Sequence, residues 1–112
     1  MFPFGSIVPA RFPFTDLSSA KVRPALVISD HNERRSDIVL AFMTSNTGAA
    51  SADAVLIQPT VRNGLKVPTL VRLDKIATLE AQIVVGKIGD AEEDFLRTAA
   101  PVFFGVFGFG KP

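Results

Sequence analysis

The sequence contains no cysteine, no tryptophan and no tyrosine, and His31 is its single histidine. Without cysteine, a disulfide framework and a thiolate nucleophile are excluded. One histidine cannot hold a zinc ion without cysteine partners. The chain also lacks a glycine-rich phosphate loop, a dinucleotide fingerprint and the nucleophile elbow of a Ser-His-Asp hydrolase. We therefore expect no metal and no cofactor, and His31 is interpreted as a loop residue without a catalytic role.

Neither sign of charge dominates, because 12 basic and 11 acidic residues leave a net charge of +1. This is far from the strongly basic balance of a nonspecific nucleic-acid binder. The apolar stretch from Ala99 to Gly110 is shorter than the ~20 residues of a spanning helix, and Pro101 interrupts it. The first residues lack a basic segment followed by an unbroken apolar run, so they do not fit a signal peptide. These patterns predict a soluble, cytoplasmic protein with no membrane partner.

The chain has 112 residues, of which 47% are hydrophobic, so it can build a core and fits one domain over residues 1–112. Apolar runs separated by turn residues predict six short strands. Their ranges are Ile7 to Phe12, Val22 to Ser29, Asp37 to Thr44, Ala54 to Gln58, Thr69 to Leu73 and Ile83 to Ile88. Pro24 lacks a ladder donor and is expected at the start of its strand, at an edge or at a bulge.

The last part of the chain predicts a helix instead of a strand. Asp90 is a candidate N-cap with Glu93 three residues later, which is the spacing of a capping box. Apolar residues follow at helical spacing, and Pro101 is expected to kink or end the helix. The prediction is a mainly β fold, a strongly bent antiparallel sheet or small open barrel with a C-terminal helix.

All ten aromatic residues are phenylalanine, with four in residues 2–14 and five in residues 95–109. One interpretation is that both ends of the chain pack into a single core. The other is that the glycine-spaced phenylalanines near the C-terminus form a hydrophobic interface for a second copy or a partner.

Polar residues at strand ends are the candidates for chemistry. Arg23 begins an apolar strand, Thr44 ends the most apolar one, and Arg72 and Asp74 alternate on one strand face. The wider set adds Asp16, Ser18 and Ser19 in the loop before Arg23, and Ser45 and Asn46 after Thr44.

Such residues could converge on a phosphodiester, because guanidinium groups bind phosphate and a neighbouring hydroxyl can hold a nonbridging oxygen. RNA supplies its own nucleophile in the 2′-OH group. Each residue also has a purely structural interpretation. Arg23 would be a solvated strand-end charge, Thr44 and Ser45 would cap a turn, and Arg72 with Asp74 would form a salt bridge.

Four segments in order carry a resemblance to a known family. They are Phe-Pro-Phe-Thr-Asp-Leu-Ser (12–18), Lys-Val-Arg-Pro-Ala-Leu-Val-Ile-Ser (21–29), Ile-Val-Leu-Ala-Phe-Met-Thr-Ser-Asn (38–46) and Val-Arg-Leu-Asp-Lys-Ile-Ala-Thr-Leu (71–79). This order resembles the MazF/PemK toxins from about Gly5 to Phe95. An Arg-Pro pair before an apolar strand, followed by an apolar strand that ends in threonine, is the most specific part of the resemblance.

The resemblance implies an SH3-like barrel fold, a homodimer and an mRNA interferase that a cognate antitoxin protein holds inactive. It implies catalytic roles for Arg23, in proton transfer and phosphate stabilisation, and for Thr44 at the scissile phosphate. Arg72 and Asp74 match a strand pair that takes part in catalysis or RNA binding in some relatives. The implied reaction cleaves single-stranded RNA without a metal and leaves a 2′,3′-cyclic phosphate and a 5′-OH end.

Two other functions remain open on the same fold. One is a CcdB-like inhibitor that binds DNA gyrase, against which the Arg-Pro and Thr-Ser motifs argue because a pure binder does not need them. The other is a catalytically degenerate binding module, suggested by Gly5-Ser6 in place of the family's common Gly-Asp and by the glycine-rich C-terminal run.

Overall fold

The computed structural model describes residues 2–11, 21–109 and 111. One antiparallel sheet contains six strands: β1 (Ser6–Ala10), β2 (Arg23–Val27), β3 (Asp37–Thr44), β4 (Ala54–Ile57), β5 (Thr69–Glu80) and β6 (Gly89–Asp90). Their order across the sheet is β4-β5-β3-β2-β1-β6, and helix α1 (Glu93–Phe107) follows the last strand. The prediction of a bent, mainly β sheet with a C-terminal helix is confirmed by this half-barrel.

The strands have two apolar faces, because side chains alternate across a sheet and both sides of this one are covered. We call the side of the sheet that packs against α1, through Ala99, the helix face. The opposite side is called the distal face. The helix face contains Ile7, Leu26, Ala41, Met43, Val71 and Leu73. The distal face contains Val8, Ala10, Ala25, Val27, Leu40 and Phe42. Burial on both sides explains why residues 38–43 form an unbroken apolar run.

Pro24 is the second residue of β2 and lies opposite Pro9 of β1. It therefore takes one of the expected positions, near the start of its strand, where the missing N–H group disturbs the ladder least.

A bulge of three extra residues interrupts the pairing of β3 with β5. Phe42 pairs with Arg72, whereas the preceding residue, Ala41, pairs with Ile76. One step along β3 thus corresponds to four steps along β5, which leaves the three residues 73–75 in the bulge. Bulges bend a strand and change the face to which its side chains point.

The sixth strand was predicted in the wrong place. Residues 81–83 form a 3-10 turn instead, and the strand is the two-residue segment Gly89–Asp90 paired with β1. Ile83 and Val85 are 60% and 74% exposed, so the apolar character of this run does not reflect burial in the sheet.

The predicted N-cap was also wrong, because Asp90 pairs with Ser6 in the sheet and Glu92 occupies the cap position of α1. The Glu92 side chain makes no capping hydrogen bond. Its Oε2 atom instead accepts a hydrogen bond from the Thr60 hydroxyl at 2.6 Å. This tertiary contact could not be read from the local capping pattern.

Pro101 does not end the helix, which continues to Phe107 and terminates at Gly108 in a left-handed conformation. A proline inside a helix costs about 3 kcal/mol. Apolar side chains on both sides of Pro101, from Phe95 to Val106, pack against the helix-face core. Burial of several such side chains at roughly 1.5–3 kcal/mol each offsets that cost.

No helix within the described ranges is both long and apolar enough to cross a membrane.

Candidate active site

Arg23 and Thr44 lie at the same end of the distal face, just beyond the last recorded pair of the β2–β3 ladder. Ala25 of β2 pairs with Phe42 of β3. Continuing this antiparallel register by two residues places Arg23, the first residue of β2, level with Thr44, the last residue of β3. The side chains of both residues point to the same side of the sheet as those of Ala25 and Phe42, which belong to the core of the distal face.

The neighbouring strands complete this end of the sheet. Ala10 of β1 pairs with Arg23, and Leu70 of β5 pairs with Thr44. Arg23 and Thr44 are therefore flanked by apolar side chains across the strands, while both remain half-buried and accessible. The Arg23 guanidinium makes no hydrogen bond or ion pair with the described part of the chain. A cation and a hydroxyl thus adjoin at the edge of an apolar surface.

The Arg72–Asp74 salt bridge lies on the same face, two ladder pairs from Thr44. Arg72 pairs with Phe42, and its Nε and Nη2 atoms donate to the two Asp74 carboxylate oxygens at 3.0 and 2.9 Å. The side chains are only 18% and 28% exposed. These hydrogen bonds hold the pKa of Asp74 below its usual range and raise the pKa of Arg72. The structural interpretation of this pair as a salt bridge is therefore correct, and its net charge is close to zero.

β3 ends at Thr44, and the turn that follows begins with Ser45 and Asn46. The Thr44 hydroxyl accepts a hydrogen bond from the Asn46 backbone N–H at 3.1 Å. The Asn46 side chain accepts one from the Gly48 N–H at 3.2 Å, at the start of a 3-10 turn. Asn46 therefore caps a turn, and Ser45 is exposed beside it. Since Thr44 accepts this bond with its oxygen, its hydroxyl proton can still be donated to a ligand.

Asp16, Ser18 and Ser19 lie outside the described residues. They stay predictions.

Lys75 belongs to this site although the sequence pattern did not single it out. Its Nζ atom lies 5.8 Å from the centroid of the Phe42 ring. Its charge also contributes to lowering the pKa of Asp74. Strict strand alternation would place Lys75 with Leu73 on the helix face, but the bulge turns it to the distal face. Neither glycine nor proline marks residues 72–76, so no sequence signal predicted this position.

We expect Arg72→Gln to raise the pKa of Asp74 toward about 3.9, the usual value for aspartate. Because the folded-state pKa of Asp74 is depressed, the salt bridge stabilises the fold above about pH 3.9. This contribution is lost as the pH falls through the folded-state pKa. Carbon-13 NMR of the carboxyl groups measures the titration, with Arg97→Gln on the far helix as the control. An Asp74 titration that is identical in wild type and Arg72→Gln would contradict the assignment.

This arrangement suits a phosphodiester better than a neutral ligand. The Arg23 guanidinium can donate two parallel hydrogen bonds to phosphate oxygens. A Thr44 hydroxyl at the same level can donate a third to an oxygen on which charge develops. The elements present are those of electrostatic stabilisation at a strand edge.

Comparison with solved structures shows first that the fold is shared with MazF toxins of known structure. An endoribonuclease in complex with its cognate antitoxin from a mycobacterial species superimposes with a TM-score of 0.81 at 17% identity, covering 100% of both chains. The Mycobacterium tuberculosis toxin MazF-mt6 gives a TM-score of 0.75 at 20% identity, covering 92% of this chain and 96% of the toxin. MazF from Deinococcus radiodurans gives 0.74 at 21% identity, covering 95% and 96%.

Sequence comparison then identifies the family. Residues 4–100 match the model of the PemK-like, MazF-like toxins of type II toxin-antitoxin systems, and the chain belongs to that family. It is also 34% identical over 95 residues to the "Probable endoribonuclease MazF" of Mycolicibacterium smegmatis (strain ATCC 700084 / mc(2)155), covering 80% of this chain and 86% of that protein. The expected resemblance is thereby confirmed, and this relationship supports endoribonuclease activity.

Proposed function

We propose that this chain is a toxin that cleaves single-stranded RNA at selected sequences, without a metal ion, through attack by the RNA's own 2′-OH group. The observation that carries the proposal is the position of Arg23 and Thr44 at the same end of the distal face, where the β2–β3 register would place them side by side, near the Arg72–Asp74 pair. Family membership and the related probable endoribonuclease support the class of reaction.

In the proposed reaction, the 2′-oxygen bonds to phosphorus and the bond from phosphorus to the 5′-oxygen breaks. The 2′-OH loses its proton and the departing 5′-oxygen gains one, so the products are a 2′,3′-cyclic phosphate and a 5′-OH end. Arg23 binds the nonbridging oxygens and stabilises the charge that grows on them, and Thr44 donates to one of them. The salt bridge orients Arg72 toward the neighbouring nucleotide.

Selectivity would come from single-stranded bases turned out of their stack and held beside the site. Ser45 and Asn46 lie at the turn next to Thr44, and we propose that they contact substrate together with Asp16, Ser18 and Ser19. We expect the enzyme to act in the cytoplasm, where mRNA is translated.

We also propose that the toxin works as a homodimer and is inhibited by a cognate antitoxin protein. Phe104, Phe107 and Phe109 are 48%, 45% and 87% exposed near the end of α1. Such a phenylalanine cluster supports the interface interpretation of the C-terminal run. The structural relative from a mycobacterial species was solved with its cognate antitoxin.

The test is incubation of the purified protein, in EDTA, with a long single-stranded RNA, followed by mapping of both ends of each product. We expect discrete cuts with 5′-OH ends and cyclic phosphates, because the mechanism needs no metal. Intact RNA after incubation with the folded protein would refute the proposal and would favour the alternative that the chain is a catalytically degenerate binding module. The gyrase-inhibitor alternative, which the comparisons do not favour, would instead require gyrase inhibition with the RNA left intact.

A further inference from the structure

We infer that Asn63 is a site of spontaneous deamidation that the fold keeps closed, and that its modification irreversibly destabilises the protein. The asparagines of the chain are Asn32, Asn46 and Asn63, and only Asn63 is followed by a glycine. Glycine has no side chain to shield its backbone nitrogen, so an Asn-Gly pair is the one most open to this reaction. The inference goes beyond the proposed function, and its test does not depend on RNA cleavage.

Deamidation at Asn63 needs no reactant other than water. The Gly64 backbone nitrogen bonds to the Asn63 side-chain carbon Cγ, the bond from Cγ to the amide nitrogen breaks, and the proton of the Gly64 N–H leaves with the departing ammonia. Water then opens the resulting succinimide ring at either of its two carbonyl carbons. One opening gives aspartate, and the other gives isoaspartate, in which the main chain runs through the side-chain carboxyl carbon.

The folded turn blocks this attack at both reacting groups. The Gly64 N–H donates to the Thr60 carbonyl at 3.0 Å, so the attacking nitrogen is held in a hydrogen bond. The Asn63 side-chain oxygen accepts two backbone N–H hydrogen bonds at 2.9 and 3.0 Å. Its amide nitrogen donates to the Gln58 carbonyl at 2.8 Å and to Glu92 Oε1 at 3.4 Å. The hydrogen-bonding capacity of the amide is thereby filled, and the residue is fully buried.

Strand β6 packs against the same turn and holds it closed. A Cβ atom on Gly89 would lie 2.4 Å from the Asn63 carbonyl oxygen, so the two backbones are in direct contact. The Asp90 N–H donates to the Arg62 carbonyl at 3.0 Å. The Asn63 side chain therefore cannot reach the attacking nitrogen until the turn separates from β6. Deamidation is gated by this local opening, and its rate follows the population of the open turn.

The product does not fit the closed turn. An aspartate at position 63 has no amide N–H, so the hydrogen bond to the Gln58 carbonyl is lost. Its second oxygen takes the place of the amide nitrogen, 3.4 Å from a Glu92 carboxylate oxygen. The hydrogen bond from the Thr60 hydroxyl, and to a smaller extent that from the Asn63 amide, hold the pKa of Glu92 below its usual range. Glu92 is therefore ionised, and two facing carboxylates repel each other.

The first experiment measures the modification of each asparagine by mass spectrometry. Wild type is incubated in mildly alkaline buffer, either folded or in urea above its unfolding midpoint, and is then cleaved by a protease under acidic conditions that stop the reaction. In urea, we expect Asn63 to be modified well before the internal controls Asn32 and Asn46. In the folded protein, the Asn63 rate should be lower by about a hundredfold, because only the open turn reacts.

Two results of this experiment would contradict the inference. Equal rates at Asn63 in folded and unfolded protein would overturn the gate. Equal rates at all the asparagines in urea would overturn the assignment of Asn63 as the reactive site.

Thr60→Val tests the gate in the folded chain. The Thr60 hydroxyl accepts a hydrogen bond from the Asn63 backbone N–H at 3.0 Å and donates to Glu92 at 2.6 Å. Its loss should raise the Asn63 rate several-fold in the folded protein and leave the rate in urea unchanged. Thr98→Val is the matched control, because the Thr98 hydroxyl donates to the Asp94 carbonyl within α1. An unchanged rate in Thr60→Val, or an equal rise in Thr98→Val, would overturn the gate.

The second experiment measures what the modification does to the fold. Asn63→Asp should lower the folding equilibrium constant by at least about tenfold in urea unfolding. Adding Glu92→Gln should recover part of this loss, since one of the facing carboxylates is removed. Asn46→Asp is the control, because its carboxylate can still accept the Gly48 N–H hydrogen bond. Equal stability of Asn63→Asp and Asn46→Asp would overturn the inferred damage to the fold.

Discussion

Arg23→Ala is expected to lower the RNA cleavage rate by at least about a hundredfold while the protein remains folded. Removing one group that stabilises developing charge typically costs 10²–10³ in kcat. The guanidinium has no partner among the described residues, so its loss leaves no buried group unpaired. Initial rates on a defined RNA strand measure the effect, and circular dichroism and thermal unfolding check the fold.

Arg23→Lys and Arg97→Ala are the matched controls for this prediction. Lysine keeps the charge but cannot form two parallel hydrogen bonds with a phosphate, so Arg23→Lys should recover only part of the rate. Arg97→Ala removes a guanidinium from the exposed side of α1 and should cut RNA like wild type. In cells, Arg23→Ala should no longer inhibit growth. Full toxicity or an unchanged cleavage rate in this variant would remove Arg23 from the mechanism.

Gly64→Ala is expected to destabilise the fold by about 2–5 kcal/mol. Gly64 has a φ of +71°, and a Cβ atom there would lie 2.2 Å from the Ile88 carbonyl oxygen. A left-handed backbone costs an alanine roughly 1–2 kcal/mol, and forcing an extra carbon into packed atoms costs a further 1–3 kcal/mol. Urea unfolding at a fixed protein concentration measures the change.

Gly86→Ala is the control that isolates the steric part. Gly86 has a φ of +90°, but its added Cβ would meet no atom within 4 Å. It should therefore show only the backbone cost, and the difference between the two variants is the cost of the contact with Ile88. Equal losses in both variants would mean that the close approach at Gly64 is not maintained in solution.

The Gly64 turn matters to function because it positions the start of β5. Asn63 is fully buried, and its side-chain oxygen accepts hydrogen bonds from the Thr60 and Leu65 N–H groups at 2.9 and 3.0 Å. Its amide donates to the Gln58 carbonyl at 2.8 Å. This network joins the end of β4 to the segment that enters β5, the strand that carries Arg72. A loosened turn should therefore also impair RNA binding.

Local patterns were sufficient to find most strands. Residues 37–44 form an apolar run that is buried on both faces, and β3 has the predicted bounds. A glycine stands at position 64, where the backbone has a positive φ that glycine tolerates. The strand predicted at residues 83–88 failed because apolar character alone does not show whether a segment finds a pairing partner.

For the candidate site, too, the sequence provides one part of the description and the folded structure provides the other. Residue chemistry indicated Arg23, Thr44, Arg72 and Asp74 as candidates, and the Arg72–Asp74 contact followed from their spacing of two along a strand. The meeting of Arg23 with Thr44 did not follow, because the two are separated by a turn and most of two strands. Lys75 was missed entirely, since a bulge reverses the face on which alternation places it.

By itself, the sequence determined what chemistry this protein can carry and which segments can become strands, because residue type and apolar period are local properties. It excluded thiol chemistry, because there is no cysteine, and it placed guanidinium and hydroxyl groups at strand ends. Only the tertiary structure decided which of these groups share a face. Register and bulges are set by pairing and packing between distant segments. The placement of Arg23 and Thr44 at the same end of one sheet face, and the orientation of the Lys75 side chain toward Phe42, therefore exist only in the folded chain.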